Sequence, residues 1–444
     1  MRDMKRLRFA LFATIVFLTA TAVLPGQDVR LKPEPAGGRS GAGRAAVAPA
    51  TTPALVGMST ERLARVHAAM QGFVDRRQVA GLVTLIARKG TVVQLDAIGV
   101  LDLETKRPMK SDTLFFIASM TKPVTSVAVM MLYEEGKLLL TDRVSKFIPS
   151  FAHPKLTTGD ARREITIRDL LTHRSGLTYG FADDSPVGRA YRADGVIDGL
   201  KDTTETLADN IERLAKEPLL FEPGTKWNYG LSTDVLGRVV EVVSGAPLDE
   251  FFRKHVFEPL KMRDTCFYVP DDKADRVSTL YTDGPGGALK PMQNGDKVGN
   301  NVVDGVSKRG SNRYFSGGAG LISSAPDYAR FLQMLLNGGE LDGVRLLGPK
   351  TIELMTVSHT GDLTPSPQGP AAGFGLGFRV ITDLGQSQRP ASVGTYSWGG
   401  IWGTAFWVDP KEQVVGVLMI QRYPLTSVPI GDVFQTLAYQ AIVK

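Results

Sequence analysis

Leu114-Phe115-Phe116-Ile117-Ala118-Ser119-Met120-Thr121-Lys122-Pro123 places an apolar run directly before a serine, with a lysine three positions on and a proline after it. Val124, Val127, Met131 and Leu132 then recur at helical spacing towards Glu135, and Gly136 supplies a stop, so the stretch predicts a helix that starts at Ser119. On a helix, residues i and i+3 share a face, which brings the Lys122 amine within reach of the Ser119 hydroxyl. Serine becomes a nucleophile when a base removes its proton. A lysine amine is such a base in its neutral form, which a water-poor setting favours. The helix N-terminus favours negative charge developing at Ser119, and Pro123 suits a first turn whose N–H groups lack intrahelical partners. Taken alone, Ser-x-x-Lys also reads as a capping serine followed by a solvated lysine, and the surroundings have to decide.

Outward from this helix, strands gather at the two ends of the chain. Ser59 opens a predicted helix carrying Leu63, Val66, Met70 and Phe73. Leu82–Ala87 and Val92–Leu95 are β-rich runs joined by Arg88-Lys89-Gly90-Thr91, a hairpin signal. The middle, 141–312, has short helical stretches at Ile167–Leu171, Leu207–Leu214 and Thr233–Val243 among Pro- and Gly-rich loops. A helix at Pro326–Leu336 follows, then strands at Gly375–Ile381, Thr404–Val408 and Val414–Ile420, and a closing helix at Asp432–Ile442. The pattern predicts an α/β (α+β) fold, an antiparallel sheet built from both chain ends and flanked by helices, with 141–312 as a mostly helical insertion.

Composition narrows the class. The chain has 444 residues, 43% hydrophobic and 22% charged, ordinary values for a globular protein. Half of its +6 formal charge comes from Arg2, Lys5, Arg6 and Arg8 against Asp3, and no run of five Lys or Arg occurs, so no nucleic-acid partner is expected. That basic start precedes an uncharged run from Phe9 to Gln27 containing Ala20-Thr21-Ala22, which reads as a signal peptide over 1–22 and predicts export, periplasmic or secreted. Left uncleaved, the same run would hold the protein at a membrane. Residues 23–57, rich in Ala, Gly, Pro, Arg and Thr, read as a disordered linker, leaving 58–444 as the functional domain. Cys266 is the single cysteine, so an intramolecular disulfide and a multi-cysteine metal site are excluded and the thiol reads as a packed hydrophobe.

With those neighbours in view, Leu114–Pro123 resembles the nucleophile segment of the class C β-lactamase-related serine hydrolases, a group that includes D-aminopeptidases, DD-peptidases, family VIII esterases and acyltransferases. The resemblance continues through Ile165–Leu177, Phe221–Tyr229 and Ser316–Leu321, in the family's order, and covers the chain from about Ser59 onward. It implies a β-lactamase/transpeptidase-like fold with Ser119 as nucleophile and Lys122 as base. The family's second motif is a tyrosine, and Tyr229 stands in that place after Pro223-Gly224-Thr225-Lys226-Trp227. A phenol beside a cationic amine gives up its proton more readily, so it can relay one to the leaving group. A packed tyrosine is the alternative, and Tyr179 competes for the role without that context. Leu231 stands where the β-lactamases carry an amide side chain, and Trp398-Gly399-Gly400 where they carry Lys-Thr-Gly on an edge strand. The resemblance implies an oxyanion hole from the N–H groups of Ser119 and Ile401, with Gly400 allowing close backbone approach. Trp398 in place of a cation looks like the family's esterases, although a Trp/Gly cluster also suits a tight sheet edge.

The five histidines offer no competing chemistry. In the resembling family the position of His173 is structural, and His67, His153, His255 and His359 are isolated and expected at the surface. No His-Glu-x-x-His, no Gly-x-Ser-x-Gly and no phosphate-loop Lys-Ser/Thr after Gly317–Gly320 occurs, so neither metal nor organic cofactor is expected. The expected function is two-step acyl transfer from a small-molecule ester or amide. A class C-type β-lactamase, a D-amino-acid peptidase, a catalytically silent binding protein and a membrane-held receptor-like domain stand as alternatives.

Overall fold

The computed structural model describes residues 52–201, 203–303, 308–363, 366, 368–425 and 428–444. The expected signal peptide and most of the expected linker lie outside them. The linker reading extended to Gly57, whereas Pro53–Val56 form a 3-10 turn with Val56 buried, because that side chain joins the core beneath the first helix.

That helix, α1 (Thr60–Asp75), is capped by Ser59, whose hydroxyl accepts the Arg62 N–H at 3.2 Å. β1 (Gly81–Arg88) and β2 (Thr91–Asp102) form the expected hairpin, with Lys89 and Gly90 turning at positive φ, and β3 (Arg107–Pro108) lies beyond β2. A 3-10 turn at Ala118–Met120 leads into α2 (Thr121–Glu134), so Ser119 sits in the entry turn and not on the helix proper. α3 (Ser232–Ser244) and α4 (Ala325–Leu336) follow, then β4 (Ala372–Phe374), β5 (Arg379–Ile381), β6 (Tyr396–Gly399), β7 (Ala405–Asp409) and β8 (Val414–Met419), and finally α5 (Ile430–Gln440).

One antiparallel sheet runs β4-β5-β6-β7-β8-β1-β2-β3. The two chain ends meet where β8 pairs with β1, from Val83 opposite Met419 to Arg88 opposite Val414. Strand alternation divides their side chains between two layers. Leu82, Ile86 and Leu418 pack with Val66, Met70 and Phe434 of α1 and α5. Val83, Leu85, Val415 and Val417 pack on the opposite face with Val124 and Val127 of α2 and Phe331 of α4. Both faces are covered, which is why β1 and β8 read as continuous apolar runs. The insertion is built of short helices and two-stranded ribbons, such as Tyr281–Asp283 with Leu289–Pro291. Among the described residues no helix is long and apolar enough to cross a membrane.

One expected strand is instead a hairpin. Within Gly375–Ile381 the chain turns, since Gly377 adopts φ +98° and the Gly375 N–H bonds the Phe378 carbonyl at 2.7 Å, leaving β4 and β5 on either side. β6, expected at an edge, is interior in strand order. However, β5 pairs only with Tyr396 and Ser397, so Trp398 and Gly399 face that side unpaired.

Arg88 carries a role its turn reading did not suggest. It is buried, and its guanidinium donates to the carbonyls of Val56, Gly57 and Lys444 and to the Glu412 carboxylate at 2.9 Å. Arg88→Ala should cost about 3 kcal/mol or more, because it strands these acceptors in a low-dielectric setting. A chemical-denaturation midpoint within error of wild type would refute the tie.

Candidate active site

Two loops that the sequence keeps fifty residues apart are locked together beside the Ser119 turn. The first follows the short helix Ile167–Leu171, which starts at a capping box in which Thr166 and Asp169 exchange hydrogen bonds. The second is the segment Phe221–Tyr229. The Gly224 N–H bonds the Arg174 carbonyl at 2.7 Å, the Asn228 N–H bonds the His173 carbonyl at 2.9 Å, and the Asn228 side chain donates to the Leu177 carbonyl at 3.0 Å. Ser175 and Ser232 join hydroxyls at 2.8 Å. This lock sets the rings of Tyr179 and Tyr229 5.5 Å apart.

Lys122 is 1% exposed, and its amine is held on three sides. It lies 3.2 Å from Ser119 Oγ and donates to the Tyr179 hydroxyl at 2.9 Å and to the Gly318 carbonyl at 2.8 Å. A neutral amine has two hydrogens and a lone pair. With the hydrogens directed at the carbonyl and the phenol, the lone pair is left for the Ser119 proton. The amine also stands 4.6 Å from the centre of the Tyr229 ring. Ser119 itself is half-buried and opens onto a cavity of about 350 Å³. The residue before it, Ala118, is fully buried with φ +42°, a conformation costly for alanine that tight packing sustains.

All six residues singled out from the sequence converge here. Ser119, Tyr229, Trp398, Gly400 and Ile401 line the cavity and Lys122 lies directly behind Ser119. The partner of the amine, however, is Tyr179, the phenol ranked lower from sequence. Tyr229 instead accepts a hydrogen bond from the Trp398 indole at 3.3 Å. No local pattern marks Tyr179; only its place two residues beyond Leu177, inside the locked loop, does so. Burial above all, then Tyr229, Asp234 and Asp198, pushes the Tyr179 phenol well above its ordinary value, so it keeps its proton.

β6 leads into a turn in which the Gly400 N–H bonds the Thr404 carbonyl at 2.7 Å and the Gly403 N–H bonds the Gly400 carbonyl at 2.9 Å. Ile401 stands at the corner, its N–H taking no backbone acceptor among the described residues. A Cβ on Gly400 would lie 2.4 Å from the Ile117 carbonyl, so only glycine lets this turn approach the backbone just before Ser119.

His173 is buried and its pKa is lowered well below the usual value, first by burial and then by the charge of Lys122. Its ring packs on Trp227, Tyr229 and Phe374, so it acts as a wedge among these aromatic side chains. His359 differs from the surface expectation. It is half-buried, with Nε2 at 2.8 Å from the Leu354 carbonyl and Nδ1 facing Arg168 at 3.4 Å. Burial pushes the Cys266 thiol up to about 11, in keeping with a packed side chain. Among the described residues no cluster of three His, Cys, Asp or Glu could hold a metal ion.

Asp234, in the first turn of α3, is fully buried behind Gly318 and accepts the Ser316 hydroxyl at 2.5 Å. Burial pushes its carboxyl up to about 6, against the Ser316 hydrogen bond and the Lys122 charge. Folding therefore favours the protonated form. Its contribution is complete below the unfolded value near 4 and is lost as pH rises through about 6. Asp234→Asn matches the protonated acid and does not titrate. Its stability relative to wild type should thus rise by about 2–3 kcal/mol between pH 4 and pH 7. Denaturant melts at the two pH values check this, and a pH-independent difference would contradict it.

Known proteins resemble this chain over most of its length. The family model described as Beta-lactamase matches residues 66–440. The esterase EstB of Burkholderia gladioli is 35% identical over 354 residues, 78% of this chain and 87% of that protein. A lovastatin esterase of Penicillium rubens is 30% identical over 401 residues, 82% of this chain and 95% of that protein. Among solved structures, EstCE1, described as a hydrolase with promiscuous acyltransferase activity, superposes with a TM-score of 0.77 at 33% identity, covering 85% of this chain and 98% of its own.

Proposed function

This chain belongs to the Beta-lactamase family and is a serine hydrolase, and from that premise we propose that it cleaves carboxylic esters through an acyl-enzyme on Ser119. The observation that carries the proposal is the Lys122 amine, set between Ser119 Oγ at 3.2 Å and two fixed oxygens, at the back of a cavity that opens onto Ile401 and Gly400. In the first step Ser119 Oγ bonds to the ester carbonyl carbon while its proton passes to Lys122. The oxyanion gathers on the N–H groups of Ser119 and Ile401, worth several kcal/mol for each good donor. The carbon–oxygen bond to the alcohol then breaks, and the proton reaches the departing oxygen through the amine and a neighbouring phenol, Tyr229 or Tyr179, both of which line the cavity. Water repeats the sequence, releasing the acid and restoring the serine.

Esters are favoured over β-lactams by two positions. Leu231 is fully buried, with no side chain to offer the cavity, and the Trp398 indole is engaged with Tyr229 where a cation would grip a substrate carboxylate. A fluorophosphonate probe should label the wild-type protein at Ser119 and leave Ser119→Ala unlabelled. Labelling that persists in the variant would defeat the assignment. Export belongs to the same proposal, resting on the basic start and apolar run of the sequence; N-terminal sequencing of protein recovered outside the cytoplasm would test it.

A further inference from the structure

Behind the Lys122 amine lies a buried acid to which the reaction steps give no part. Asp234 sits in the first turn of α3, and its neighbours Val235, Leu236 and Val239 belong to the main core. It is fully buried, a costly place for a carboxyl group unless its hydrogen bonds offset the loss of water. One of its oxygens accepts the Ser316 hydroxyl at 2.5 Å. The other stands so close to Gly318 that a Cβ there would lie 2.3 Å from it. The Ser316 hydroxyl also accepts the Ala319 N–H at 2.9 Å, closing a turn over Gly317 and Gly318. α2 ties the same segment. The Thr125 hydroxyl donates to the Gly317 carbonyl at 2.6 Å, and the Thr121 hydroxyl accepts the Leu321 N–H at 3.0 Å. The turn is thus clamped between α2 and α3, and it presents the Gly318 carbonyl to the Lys122 amine at 2.8 Å.

We propose that Asp234 is a positioning residue for the reaction: through Ser316 it fixes the Gly318 carbonyl, which holds one hydrogen of the Lys122 amine and so keeps the lone pair aimed at Ser119 Oγ. The proposal rests on the ester-hydrolase reading above. Asp234 does not line the cavity over Ser119, so substrate does not meet it. Its loss therefore acts on the removal of the serine proton and leaves substrate binding alone. Small displacements of a reacting group cost large factors in rate, about 10²-fold for a misplacement of 1 Å.

Asp234→Leu is of similar size and offers no acceptor. It should lower kcat for p-nitrophenyl acetate at least tenfold, keep KM within about twofold, and slow fluorophosphonate labelling of Ser119 in step with kcat. Asp234→Asn keeps an oxygen for the Ser316 hydroxyl and should restore most of kcat. Ser316→Ala removes the other end of the bond and should reproduce the leucine variant's loss. It also carries the test if the leucine variant lacks a cooperative melt. The double variant should be no slower than the slower single one, because both act through one contact. A smaller fall in kcat in a folded variant, or a loss confined to KM, would overturn the proposal. So would an asparagine variant as slow as the leucine one, since charge and not the hydrogen bond would then be at work. Failure of the hydrolase reading looks different, because the wild-type protein would neither be labelled nor turn over p-nitrophenyl acetate.

Discussion

Ser119→Ala should hydrolyse p-nitrophenyl acetate about 10⁴-fold or more slowly than wild type, with an unchanged melting temperature. The magnitude follows from the loss of the covalent route, since residues that act as one catalytic unit lose nearly the whole of its contribution when the nucleophile goes. The unchanged stability follows from position. Ser119 is half-buried in a 3-10 turn that closes through backbone bonds, including Met120 N–H to the Ile117 carbonyl at 3.0 Å. Only the 3.2 Å contact to Lys122 is lost, and the amine keeps its other two oxygens. Activity within tenfold of wild type would require another nucleophile, and the assignment would fall.

Lys122→Ala should lower kcat for the same ester by about 10³-fold, within the range of a positioned general base, with a smaller effect on KM. It should also reduce stability, because the Gly318 carbonyl and the Tyr179 hydroxyl stay buried without their donor. A small primary amine such as methylamine, added to the variant, fits the space the side chain vacates and should restore part of kcat, with rescue increasing as pH raises the neutral amine fraction. Lys122→Arg should not substitute, since a guanidinium stays protonated at any working pH. A variant that keeps kcat, or a lost activity that no amine restores while the Ser119 label still forms at the wild-type rate, would assign the base elsewhere.

The pairing of Ser119 with Lys122 is legible in the sequence because the relation is local. Ser119 and Lys122 are three residues apart at a helix entry, so the entry turn and the first helical turn put both side chains on one side, and their tips lie 3.2 Å apart. The Thr166–Asp169 capping box and the Ser59 cap are likewise written in adjacent residues, which is why Ile167–Leu171 and the helix after Ser59 are found where the pattern places them. The hairpin at Gly81–Asp102 and the strands near both ends are legible from β-rich runs and, for the hairpin, the turn-compatible insert Arg88–Thr91.

What the sequence could not decide was every choice between equivalent groups that long-range packing makes. Tyr179 and Tyr229 are both plausible phenols on paper. The lock between the loops at Arg174–Leu177 and Gly224–Asn228 turns one to the amine and the other to Trp398. Arg88 reads as a turn residue until the strand pairing brings Val56, Gly57, Glu412 and Lys444 around it. Short-range geometry is set by bond lengths and helical repeat, which any reader of the chain possesses. Contacts between residues a hundred or more positions apart depend on how the sheet and its insertion fit together, and that fit is a property of the folded whole.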